Sequence, residues 1–270
     1  MLNQETENHS VSDKKYLVPF ILITSLFFLW GFARAILDVL NKHFQNALHI
    51  SITQSAMIQV TTYLGYFLMA IPAGIFINKY GYRRGVVFGL LLFGLGAIFF
   101  IPGASIGSFS AFLFCLFVIG CGLVFLETAA NPYVTELGAR ETATSRLNLS
   151  QSFNGLGSIF ATFCIGQFLF NDTQQGGNVV IPYAILGVLV LAIAVVFSRV
   201  DLPEIQHQQT TEDKAKGSNI AKLFANHRMF VFGLFALLSY EVAEISINSY
   251  FINFVTGMHW MSDRTASLVL

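Results

Sequence analysis

Residues 109–134 read FSAFLFCLFVIGCGLVFLETAANPYV. From Phe109 to Leu126 no side chain carries a charge, and then Glu127 interrupts the run, with Asn131 one turn later and Pro132 beside it. The stretch exceeds the ~20 residues that an α-helix needs to cross a hydrocarbon core roughly 30 Å thick. It lacks the alternation that membrane barrel strands keep over about ten residues. A carboxylate near the centre of such a helix costs roughly 2.5–3.5 kcal/mol on insertion scales. Glu127 therefore has to face water, a partner or a task.

The same pattern recurs along the chain. Apolar runs cover residues 17–40, 52–77, 86–101, 109–134, 147–170, 181–200 and 229–255, and an eighth begins at Thr265. Of 270 residues 54% are hydrophobic and only 11% charged, against about a quarter charged in soluble domains. The fold class expected is an all-α membrane protein. Twenty-eight Phe suit lipid-facing surface, and 22 Gly suit close helix packing where no hydrophobic force draws helices together. Cys115, Cys121 and Cys164 lie within apolar runs without metal spacing and read as small buried residues. The polar first sixteen residues precede a run too long for a signal-peptide core, so the first helix is expected to remain as an anchor.

Basic residues predict orientation, because short cytoplasmic loops collect Lys and Arg. With the N-terminus inside, Lys14, Lys15, Lys79, Arg83, Arg84, Arg140, Arg146, Arg199, Lys214, Lys216, Lys222 and Arg228 fall on the cytoplasmic side. Only Lys42 and Arg264 fall outside, and Arg34 lies within the first helix. Residues 201–226 are polar and show no apolar period, as a linker between two units would. The organisation expected is a cytoplasmic tail over 1–16, a six-helix bundle over 17–200, a cytoplasmic linker over 201–226 and the opening of a second bundle over 227–270. Because Leu270 lies inside a new apolar run, the sequence reads as a fragment or a truncated product.

Four carboxylates lie in the apolar runs: Asp38, Glu127, Glu241 and Glu244. Asp38 stands one turn after Arg34, a spacing that allows a local ion pair. Glu127 and Asn131, four apart, share a helical face. On the next helix Asn148, Gln151, Asn154, Gly155 and Ser158 form a polar side, which serves either as interhelical glue or as a match for hydroxyl groups that each need a donor and an acceptor. Asn131-Pro132 predicts a broken or kinked fourth helix. Glu241, Glu244 and Asn248 share a face of the seventh helix and would line the far wall of a cavity between units.

The hairpin GIFINKYGYRR at 74–84 resembles the loop signature of the major facilitator superfamily between its second and third helices. Gly74, Lys79, Gly81, Arg83 and Arg84 match, and Asn78 stands where the superfamily has an acidic residue. FFLWG at 27–31, GYFLMAIPAG at 65–74, LETAANPYVTELG at 126–138, RLNLSQSFNGLGS at 146–158 and SYEVAEISINSYFINF at 239–254 together resemble the fucose, galactose and glucose proton symporter family, most of all its L-fucose permeases. The resemblance implies a twelve-helix fold of two six-helix bundles, of which this chain holds the N-terminal bundle and the start of the C-terminal one. It implies proton-coupled import of L-fucose or a related hexose by alternating access across a bacterial-type cytoplasmic (inner) membrane. It puts Asp38 and Glu127 at the family's two essential acidic positions, tied to proton coupling and sugar binding. Asn131, Gln151 and Asn154 are the further sugar-binding candidates. The partners expected are a sugar, protons and lipid. No cofactor, metal or nucleic acid is expected, and oligomeric state is left open.

A membrane enzyme is the rival class, but His9, His43, His49, His207, His227 and His259 all fall in expected tails or loops, which leaves no intramembrane metal cluster or His-assisted nucleophile. A receptor or channel fits the linker and the hairpin less well. The alternative closest to the main reading is a truncated, non-transporting fragment of such a permease, or a symporter for galactose or glucose.

Overall fold

The computed structural model describes residues 14–106, 108–169, 180–200 and 227–270. The linker over 201–226 and most of the expected N-terminal tail, with His9, His207, Lys214, Lys216 and Lys222, lie outside the described residues. Nine α-helices occur among the described residues, with no strand: α1 Lys14–Leu48, α2 Ile52–Tyr80, α3 Tyr82–Ile98, α4 Phe100–Ile106, α5 Phe109–Glu136, α6 Ala143–Leu169, α7 Val180–Arg199, α8 Arg228–Gly257 and α9 Asp263–Val269. A 3₁₀ turn, Arg140–Thr142, precedes α6. Each of the seven apolar runs coincides with a helix, the third being divided between α3 and the short α4. Among the described residues six helical stretches, one of them α3 together with the start of α4, are long and apolar enough to cross a membrane. The 27-residue α6 is long enough but carries the polar side.

Local chemistry explains the helix ends. Ser51 opens α2 with a capping box: its Oγ accepts from Gln54 N at 3.1 Å, and Gln54 Oε1 accepts from Ser51 N at 2.9 Å. Gly81 closes α2 and opens α3 at φ 88°, a backbone geometry that favours glycine, and its N–H donates to Ile77 O at 2.8 Å. The end of α5 is held by Arg146 from the first turns of α6. This buried guanidinium donates to Val134 O at 3.0 Å, Thr135 O at 2.7 Å and Ala139 O at 2.8 Å. It thereby satisfies carbonyls that the helix terminus leaves without partners. Arg146, which the sequence counted only as a basic residue of a short loop, is thus a buried cap.

α5 occupies the centre of the bundle, with Leu116, Ile119, Leu123, Leu126, Ala129 and Val134 all buried. α2 and α3 pack against it, α3 also packs on α7, and α1 packs chiefly on α6. The α1–α6 contact depends on two glycines. A Cβ on Gly31 would lie 2.0 Å from Asn154 O, and one on Gly157 would lie 2.1 Å from Phe28 O. The two backbones touch, and only hydrogen fits between them. Thr24 Oγ1 and Ser150 Oγ, 3.0 Å apart, and the bond from Ser158 Oγ to Gly31 O at 3.2 Å complete this seam.

The periphery is apolar. Phe67 is 80% exposed, and Ile71, Ile75, Ile185 and Val188 also point outward. This arrangement is stable when the surrounding solvent is hydrocarbon and every backbone polar group is satisfied within a helix.

Three expectations are corrected here. Of the break or kink expected at Pro132, the break does not occur, because α5 runs through that residue as one helix. Packing on several sides holds the helix, as happens for membrane helices whose neighbours support a proline, and Thr135 Oγ1 bonds Pro132 O at 2.8 Å. His43 is not in a loop: α1 continues to Leu48, and His43 is buried beside Phe44, ring centroids 6.0 Å apart. Cys164 is half-buried, whereas Cys115 and Cys121 are buried as expected.

Candidate functional site

Two cavities flank the middle of α1. The first, about 240 Å³, is lined by Trp30, Arg34 and Leu37 of α1, Thr62, Tyr63 and Tyr66 of α2, Leu123 and Glu127 of α5, and Glu241 of α8. The second, about 340 Å³, is lined by Arg34, Ala35 and Asp38 of α1, by Asn154, Ser158, Ile159, Thr162 and Phe163 of α6, by Glu244 and Asn248 of α8, and by the last residues of the chain. Arg34 belongs to both.

The helical period explains this division. Trp30, Arg34 and Asp38 recur every four residues and so form one stripe along α1. Gln59, Tyr63 and Tyr66 form the answering stripe on α2. Trp30 Nε1 donates to Tyr66 Oη at 3.0 Å, and the Tyr63 and Tyr66 rings lie 5.8 Å apart, so the first cavity has a fixed aromatic wall. Farther along, Asp38 Oδ1 accepts from Gln59 Nε2 at 3.1 Å and from Ser249 Oγ at 3.1 Å.

Arg34 shares a cavity with Asp38 but makes its ion pairs on α8. Its Nη2 lies 3.5 Å from Glu241 Oε2 and 3.3 Å from Glu244 Oε1, all three side chains being partly exposed to the cavities. The local Arg34–Asp38 pair that the one-turn spacing allowed is not among the ion pairs of the described residues. A single guanidinium nitrogen, Nη2, stands between two carboxylates on the facing helix instead. Nearer the end of α1, Asn41 Nδ2 donates to Ser249 O at 2.7 Å, Asn46 Nδ2 donates to Asp263 Oδ2 at 2.9 Å, and Lys42 pairs with Asp263 at 4.0 Å. The second half of α1 is thus tied to α8 and α9 by polar contacts.

The expected site residues are therefore divided. Glu127 lies in the aromatic cavity, and Asn131, one turn on, joins it in a small adjoining pocket with Trp30. Gln151 Nε2 reaches Asn131 Oδ1 at 3.4 Å from an exposed position. Asn154, grouped with Gln151 on the polar side of α6, lines the Asp38 cavity rather than the one that holds Glu127. The Gly31 contact draws its backbone against α1, and its Nδ2 is buried without an acceptor among the described residues. Glu241 faces the aromatic cavity, while Glu244 and Asn248 face the Asp38 cavity. Trp30, Gln59, Tyr63, Tyr66 and Ser249 were not singled out from the sequence. The stripe 59, 63, 66 was the available signal, hidden because Tyr is unremarkable in an apolar run.

The hairpin motif lies at the opposite end of the bundle. Arg83 Nε donates to Phe197 O at 3.3 Å and Nη2 to Ser198 O, so α3 grips the end of α7. Asn78, Lys79 and Arg84 are exposed, with Lys79 Nζ 5.2 Å from the Tyr80 ring centre, and Gly74 has no close neighbour.

A sequence model described as Major Facilitator Superfamily matches residues 23–270. The chain belongs to that superfamily. It is similar to the L-fucose-proton symporter of Escherichia coli (strain K12), with 35% identity over 279 residues covering 93% of this chain and 64% of that protein. It is also similar to the glucose/galactose transporter of Brucella abortus biovar 1 (strain 9-941), with 34% identity over 261 residues covering 94% and 62%. Among solved structures it resembles the superfamily transporter FucP in the outward conformation, with 35% identity and a TM-score of 0.70, covering 90% of this chain and 64% of that one. The chain thus spans a little under two thirds of the length of the curated relatives it matches. As a superfamily member with these helices, it is a multi-pass integral membrane protein.

Proposed function

We propose that this protein is a proton-coupled sugar symporter that imports L-fucose or a related hexose across a bacterial-type cytoplasmic membrane, with its N-terminus and the 201–226 linker in the cytoplasm. The observation that carries this reading is the first cavity. At about 240 Å³ it is smaller than the roughly 300–1,000 Å³ of pockets for drug-sized ligands. It combines an aromatic wall for the C–H faces of a sugar ring with a carboxylate and hydroxyls that can accept from and donate to sugar hydroxyls. Trp30, Tyr63 and Tyr66 form the wall, and Glu127 is the principal acceptor, with Asn131 and Gln151 at its edge.

Asp38 is the proton-carrying candidate. It lies between Gln59 and Ser249 at the junction of α1, α2 and α8, so its protonation bears on contacts between the two units. Alternating access moves one bundle against the other around a midplane site, and Ser249 belongs to the helix that opens the second unit. Asn154, with a buried amide donor still to be satisfied, is assigned to this cavity rather than to the first. The similarity to proteins named L-fucose-proton symporter and glucose/galactose transporter supports both the coupling ion and the sugar class.

The test is reconstitution of the full-length gene product in liposomes. Counterflow of labelled L-fucose, galactose and glucose and alkalinisation of the medium on sugar addition are measured together. Counterflow with at least one sugar, accompanied by proton uptake, is expected. Sugar movement without proton movement removes the coupling, and the absence of both removes the reading.

A further inference from the structure

We propose that Arg34 is the coupling residue of this transporter: a single guanidinium shared by two cavities, whose partner changes with their occupancy. The inference rests on the symporter reading and assigns the link between its proton and sugar sites.

The charge balance is the first argument. Among the described residues, Arg34 is the only Lys or Arg lining either cavity, whereas Glu127 and Glu241 line one and Asp38 and Glu244 the other. One fixed cation cannot neutralise four carboxylates, and an uncompensated charge in a water-poor interior is expensive. The neighbouring groups that can share charge are few. α2 contributes Tyr63 and Tyr66, α8 contributes Tyr240 next to Glu241, and the lining residues of α6 and α9 carry no side-chain charge.

The geometry is the second. Glu241 and Glu244, three residues apart, project from the same side of α8 to different cavities. Arg34 Nη2 lies 3.5 Å from one and 3.3 Å from the other. Tight charge-assisted bonds are about 2.7–2.9 Å long, so neither pair is closed, and a displacement of well under 1 Å commits the guanidinium to either side. Neutralising Asp38 with a proton removes negative charge from the second cavity and releases Arg34 toward Glu241 and Glu127. The carboxylate that meets the sugar is then set by the proton at the other site. Because α8 belongs to the second unit, the same exchange changes the tie between units.

The experiment measures protons moved per sugar, a ratio that does not depend on how far the transport rate falls. The full-length protein is reconstituted as wild type, Arg34→Gln, Arg34→Lys and Glu244→Gln. A coupling free energy of ordinary size corresponds to about fivefold or more. Arg34→Gln is therefore expected to lower the ratio at least about fivefold while sugar still exchanges, and Arg34→Lys, which keeps the charge without the fork, to recover part of it. If Arg34→Gln carries no flux, Arg34→Lys and Glu244→Gln are read in the same way. A wild-type ratio in the variants that carry flux overturns the inference, as does loss of exchange in all three, because a coupling residue uncouples without abolishing exchange. Either result against a coupled wild type leaves the symporter reading standing. An uncoupled wild type removes both.

Discussion

Gly31→Ala places a methyl group where the backbone of α6 already lies. The new Cβ would stand 2.0 Å from Asn154 O, 2.8 Å from Asn154 C and 3.1 Å from its Cα. Ordinary contact begins near 3.4 Å, so α1 and α6 must separate by more than 1 Å, and the obstacle is main chain that no rotamer change can move. Overpacking of this kind costs about 1–3 kcal/mol. The Thr24–Ser150 and Ser158–Gly31 hydrogen bonds cross the same seam, and each is worth about 0.6 kcal/mol in a membrane protein. The gain from replacing a helical glycine by alanine offsets up to about 1 kcal/mol. The net loss is about 1–3 kcal/mol. Gly155→Ala is the control: it lies on the same helix one residue from Asn154, and its added Cβ meets nothing within 4 Å. Thermal unfolding in detergent should show Gly31→Ala several degrees below wild type and Gly155→Ala level with it or above. Equal melting of the two variants would refute the argument that backbone contact, rather than glycine content, holds this seam.

Three further outcomes are expected. Arg146→Met, which leaves the Val134, Thr135 and Ala139 carbonyls without their donor, should cost about 1–3 kcal/mol for each carbonyl that water does not reach and should lower the yield of monodisperse protein; wild-type yield and melting would show that the cap is dispensable. Asp38→Asn in the full-length protein should abolish proton-driven accumulation while sparing sugar exchange, and Glu127→Gln should weaken both, so normal sugar-induced proton uptake in both variants would remove these carboxylates from the mechanism. Cysteine introduced at the exposed Ser51 should react with a membrane-impermeant maleimide in intact cells, and cysteine at the exposed Glu141 only after permeabilisation; the reverse pattern would invert the proposed orientation.

Helix positions were legible because hydrophobic length is a one-dimensional property: the runs beginning at 52, 109 and 181 start within a residue of α2, α5 and α7. Charge in an apolar run was legible for the same reason, so Asp38, Glu127, Glu241 and Glu244 all stood out. What the sequence did not disclose is which of these charges meet. Arg34 pairs with residues more than 200 positions away, and local spacing pointed it at Asp38 instead. The sequence grouped Asn154 with Gln151 on one polar side of α6, but a face covers about 100°, and with the close approach at Gly31 Asn154 lines the Asp38 cavity. Pro132 was read from its intrinsic preference, which packing on α5 overrides. His43 was misread because polar residues at the end of α1 suggested a loop, whereas they are the residues that bind α8 and α9.

The backbone contact at Gly31 and Gly157 also bears on how such a protein can be re-engineered. With α1 and α6 in direct contact, the angle at which Asn154 enters its cavity is a property of the whole helix pair, and no substitution at a neighbouring position can rotate it alone. Directed evolution of the proposed sugar specificity should therefore leave α6 largely unchanged and draw its beneficial changes from α2 and α8, whose cavity-lining positions 63, 66, 241 and 244 can change size without prising two main chains apart.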